Sequence, residues 1–179
     1  MKKKTRWITE TSAMLALLIA LQWATKPLGQ LVTGSCVNAV LAVCALLAGL
    51  GSGLTVALLS PLFAYFLGIA PNVITVPVIM IGNAAFVLLL ALLCKGSWLR
   101  RIGSMVLAAG IKFIALYALV TQVICGLAAN YLLSQGLLKA PMLKALPVTF
   151  SWPQLITALI GGSLALLIVP ALKKALHRV

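Results

Sequence analysis

A chain of 179 residues that is 63% hydrophobic and only 8% charged carries more apolar side chain than a water-soluble core can bury. Its mean hydropathy of +1.18 points the same way, to a polytopic membrane protein. Against 14 Lys and Arg stands 1 acidic residue, a net charge of +13. In a soluble protein that excess would suggest nucleic acid, but here the cations flank apolar runs, so anionic lipid headgroups are the expected partner.

Lys2, Lys3, Lys4 and Arg6 precede the first run, residues 11–28. It is too long and continuous for a cleaved signal peptide, lacks a small-residue cleavage site and is followed by further spans, so it is expected to be retained. Within AMLALLIALQWA, Ala16, Ala20 and Ala24 recur every fourth residue and form a smooth stripe on one helix face. Such a stripe gains little against acyl chains but lets another helix approach closely, so it reads as a docking face.

The polar stretch TKPLGQLVTGS leads to a second span, 36–49, which ends at the tight turn GLGSG before a third, 54–68. The segment IAPNVI breaks the chain ahead of the fourth span, 73–94. The basic loop KGSWLRR, with Lys95, Arg100 and Arg101, leads to the fifth, 104–133, which is longer than a membrane requires. SQGLLKAPMLKALPVTFSWP reads as a loop before the sixth span, 154–172, and Lys173, Lys174 and Arg178 close the chain. The expected fold is an all-α bundle of six transmembrane helices in a single membrane domain, 1–179. Six crossings place both termini on the side that collects most of the cations, which the positive-inside rule makes cytoplasmic.

Chemistry is sparse. Glu10 is the only acid, so no carboxylate pair exists for acid–base work or a metal, and no relay of intramembrane carboxylates is present. The only histidine, His177, lies in the basic tail. Cys36, Cys44, Cys94 and Cys125 form no CxxC pair and read as small buried hydrophobes rather than a disulfide or zinc framework. No GxxxxGK[ST] loop is present, so ATP must be hydrolysed elsewhere if at all. Enzymatic activity, a metal and a cofactor are not expected.

What remains is a set of uncharged polar and aromatic groups at the ends of several spans on the non-cytoplasmic side. Their convergence suits capture of a small polar molecule, although any single one could cap a helix or sit in the interface. The expected contacts are Gln30, Asn38, Asn72, Gln122 and Trp152, with Lys26 as charge partner. Two polar residues lie within spans. Asn83 is equally readable as glue between helices or as a ligand contact. Lys112 would cost roughly 2.5–3.5 kcal/mol unpaired near the bilayer centre. Snorkelling to the cytoplasmic face is the favoured reading for it, a counter-ion for an anionic substrate the other.

The stripe Ala16-Leu17-Leu18-Ile19-Ala20, extended to Ala24, together with GQLVTGSCVNAVL, SGLTVALLSPLFAYFLGI and VPVIMIGNAAFVLLLALL, resembles the substrate-binding S component of energy-coupling factor transporters, over roughly residues 11 to 95. The resemblance implies binding and uptake of a vitamin or similar micronutrient. It also implies docking of the alanine stripe on a transmembrane T component, and two ATPase subunits supplying energy at a bacterial cell membrane. The missing acids disfavour a strongly cationic substrate. The competing class is a structural or assembly protein that uses the stripe for docking and binds no small molecule.

Overall fold

The computed structural model describes Lys2 to Leu176, with side chains from Lys4 onward; His177 and Arg178 lie outside the described residues, as do the side chains of Lys2 and Lys3. Among the described residues the chain is all-α, without strands. The helices are α1 (Lys2–Thr25), α2 (Gln30–Leu47), α3 (Leu50–Phe66), α4 (Thr75–Leu93), α5 (Trp98–Ala118), α6 (Ala129–Ser134), α7 (Ala140–Thr149) and α8 (Trp152–Ala175). A 3₁₀ turn, Lys26–Leu28, follows α1, and α5 continues into a π-helix, Leu119–Leu127. Five helical stretches are long and apolar enough to cross a membrane, and α3 is apolar but shorter.

Several helices start well before their apolar cores. α1 starts nine residues before position 11, so Glu10 sits within it and accepts from Arg6 Nε at 2.7 Å, one turn away. α2 takes in most of TKPLGQLVTGS, and α5 takes in half of the basic loop. Hydropathy marks where a helix meets lipid, whereas polar residues with satisfied backbones extend it beyond. Positive-φ glycines, Gly29 and Gly49, set the abrupt turns into α2 and α3. The segment read as a loop before 154 contains α7, started by Pro141 in its first turn.

The main core joins Leu18 of α1, residues 40–45 of α2, Val56 and Ala57 of α3, Phe86, Val87 and Leu90 of α4, and buried residues of α5 and α8. A second, smaller cluster gathers Leu116, Val120, Ile124, Leu132, Leu138, Leu146 and Phe150, and so fastens the π-helix, α6 and α7 over one end of the bundle. α2 packs most extensively on α8.

Candidate functional site

At the end covered by the smaller cluster, a cavity of about 380 Å³ opens among α1, α2, α3, α4, α5 and the start of α8. That volume lies in the ordinary range for small-molecule sites, roughly 300–1,000 Å³. A buried cation lines it, Lys112, 2% exposed and about 21 Å up α5 from Trp98 at 1.5 Å per residue. Its ammonium donates to Asn38 Oδ1 and, at 2.7 Å, to Asn83 Oδ1, and stands 5.4 Å from the centroid of the Phe86 ring. Asn38 donates in turn from Nδ2 to Thr157 Oγ1 at 3.2 Å, and the Thr157 hydroxyl donates to the Gln154 carbonyl at 3.1 Å. The chain of bonds fixes which end of the Asn38 amide faces the lysine.

Small residues bring these groups together. A Cβ on Gly161 of α8 would fall 2.6 Å from the Ala39 nitrogen and the Ser35 carbonyl oxygen of α2, so the two backbones touch and Thr157 reaches Asn38. A Cβ on Gly82 would fall 2.6 Å from Leu116, which marks the close packing of α4 on α5 beside the Asn83–Lys112 bond.

The mouth is tied by polar links between connections. Lys26 Nζ donates to the Leu67 carbonyl at 2.7 Å, and Gln30 Nε2 to the Thr149 carbonyl at 2.9 Å. Phe150, 2% exposed, contributes an apolar wall. Among the described residues, the buried side-chain polar atoms without a hydrogen-bond partner are Gln22 Oε1 and Ser60 Oγ, and both residues line this cavity. Buried polar atoms in native proteins almost always find partners.

Of the expected contacts, the cavity collects Lys26, Gln30 and Asn38. Asn72, Gln122 and Trp152 lie elsewhere. Asn72 staples two connections, donating to the Leu137 carbonyl at 2.8 Å and accepting from the Ile74 amide at 3.0 Å. Gln122 is exposed on the π-helix. Trp152 is exposed and stacks on Phe113, with ring centroids 5.8 Å apart. Lys112 does not snorkel: its ammonium is buried among side-chain oxygens and lines the cavity. The apolar count placed it eight residues into its span, but the helix begins six residues earlier, at Trp98, so Lys112 stands fourteen residues from the start of α5. Sequence reasoning passed over Gln22 and Thr33 as contacts and did not single out Ser60; the Ser60-Pro61 pair inside an apolar run was the available signal.

Ala16, Ala20 and Ala24 are all exposed, on the opposite side of α1 from the buried Leu18 and Gln22. The four cysteines are free, and among the described residues no cluster of His, Cys, Asp or Glu suits a metal ion. No family model, curated protein or solved structure matches the chain.

Proposed function

We propose that the chain is a substrate-binding membrane subunit of the energy-coupling factor type, taking a small micronutrient such as a vitamin from outside the cell. The observation that carries this reading is the cavity at one end of an apolar bundle, floored by Lys112, Asn38 and Asn83 and lined by two buried polar atoms that want a partner. Six helices, α1 to α5 and α8, cross the membrane, with both termini and the basic α4–α5 connection in the cytoplasm beside anionic lipid. The cavity then faces outward, with Lys26, Lys139 and Lys144 on its side.

Energy comes from partners. The chain holds no phosphate-binding loop and a single acid that is engaged by Arg6. A T component docks on the exposed Ala16, Ala20 and Ala24, whose small side chains admit close helix contact, and two ATPase subunits drive the cycle. Full-length protein purified in nanodiscs and then denatured should release a small molecule identifiable by mass spectrometry. Co-expression with a T component and its ATPases should yield a stable complex. Protein that releases no small molecule and forms no such complex would leave the assembly-protein reading in its place.

A further inference from the structure

We infer that the cavity selects a small organic monocarboxylate, whose anionic head pairs with Lys112 and whose body carries a hydrogen-bond donor for Gln22. The inference rests on the reading of this cavity as a substrate site.

Three observations converge on it. The first is charge. Lys112 is 2% exposed and meets only neutral groups, the two asparagine oxygens and the face of Phe86. The only acidic side chain of the chain, Glu10, is held by Arg6 at 2.7 Å. An ammonium has three N–H groups, and two are directed at Asn38 and Asn83, which leaves one for a further acceptor. A buried cation needs a counter-charge, and this protein supplies none to Lys112, so an incoming anion is the group that completes the site.

The second is the kind of anion. A phosphate ester carries up to two charges and is generally met by arginine forks, several lysines or a run of backbone N–H groups. The cavity holds no arginine, and its other cation, Lys26, donates to the Leu67 carbonyl at the mouth. One buried ammonium suits one carboxylate. An amine meets Lys112 as a like charge and finds no acid on the walls to offset it.

The third is the pair of unpartnered atoms. Gln22 is 3% exposed and its Oε1 can only accept; Ser60 is 1% exposed and its hydroxyl can donate or accept. They stand on α1 and α3, whereas the lysine stands on α5, so they address a different part of the bound molecule. An N–H or O–H on that part satisfies Gln22. Between the poles, Val37, Pro61, Ala64, Ile79 and Phe150 give an apolar wall.

The test uses the full chain in nanodiscs, with thermal stabilisation and calorimetry against matched probes of one shape and different head: nicotinate and nicotinamide, pantothenate and pantothenol, biotin and biotinamide, phenyl phosphate and benzylamine. Molecules released from the purified protein by denaturation are identified in parallel. The expected result is a carboxylate, among the probes or the released molecules, bound at least about 30-fold tighter than its amide, ester or alcohol counterpart. Lys112→Gln keeps donors for both asparagines without the charge. It should remain folded, bind that acid at least about 30-fold more weakly and lose most of the preference for acid over neutral analogue. Preference for a phosphate, an amine or a neutral analogue overturns the carboxylate inference and leaves the binding-subunit reading standing, as does an acid bound equally well by Lys112→Gln. No stabilising probe together with no released molecule overturns both.

Discussion

Asn38 and Gly161 touch across the α2–α8 seam: a Cβ added to the glycine would lie 2.6 Å from the Asn38 Cβ and equally close to the backbone on either side of it. The seam that holds the bundle together is therefore the one that aims an asparagine at Lys112. Gly161→Ala has no flexible side-chain tip to push aside, so the helices must part. It should cost about 1–3 kcal/mol, as overpacking does, and disturb the Asn38–Thr157 bond. Gly103, with open space around its would-be Cβ, is the control: Gly103→Ala should stabilise α5 by about 0.5–1 kcal/mol. Thermal melts of both variants in one detergent check the sign of each.

Gln22 and Ser60 lead to a trade of stability against binding. An unsatisfied buried polar atom costs about 1–3 kcal/mol, and Ser60→Ala and Gln22→Met remove one each. Each variant should melt no lower than wild type when empty. Gln22→Met should bind the best-stabilising carboxylate roughly 5- to 150-fold more weakly in calorimetry. Unchanged affinity would show that Gln22 meets no part of the bound molecule.

At the mouth, the Lys26–Leu67 bond joins the α1–α2 and α3–α4 connections at 2.7 Å. Lys26→Met should speed dissociation about 3- to 10-fold, with association little changed, because one hydrogen bond contributes roughly 0.5–1.5 kcal/mol. Stopped-flow or surface plasmon resonance separates the two rates.

The alanine stripe should behave independently of the cavity. Ala16→Trp and Ala20→Trp each put a large side chain on an exposed face of α1, away from Gln22. Both should abolish co-purification with a T component while leaving carboxylate affinity within about 2-fold, since the added bulk blocks helix contact in lipid. Parallel loss of both properties would place the stripe against the protein's own bundle.

Sidedness can be read by labelling in a background where the four native cysteines are replaced. Lys139→Cys, before α7, and Arg100→Cys, near the start of α5, should react with an impermeant maleimide from opposite sides of the membrane. Reaction of both from outside would end the six-crossing topology.

Helical content and the broad run of apolar segments were legible in the sequence because lipid-facing surface must be apolar over about 20 residues. Helix ends were not, since Gln30, Thr33 and Ser35 belong to a helix that a hydropathy scan enters only at 36. Asn38, singled out by type and position, does line the cavity. Lys112 was visible as an anomaly, but its reading depended on a helix start misplaced by six residues. Trp152 was the candidate at the start of the last helix, but two residues along a helix turn the chain by about 200°, so Gln154 lines the cavity while Trp152 faces away. The Gly161-Gly162 pair, central to packing, announces itself only as two glycines inside an apolar run.

The π-helix at Leu119–Leu127 changes how the two ends of the protein can diverge. Each i→i+5 turn takes up about one residue more than an α turn, as though a residue had been inserted into α5 without breaking it. Lys112 lies below that insertion, while α6 and α7 lie above it. Losing one residue there would return the stretch to α-helical winding, so the change is taken up within residues 119–127 while the lysine keeps its place. Descendants of this chain thus have a one-codon route to a differently wound stretch of roof over an unaltered charge.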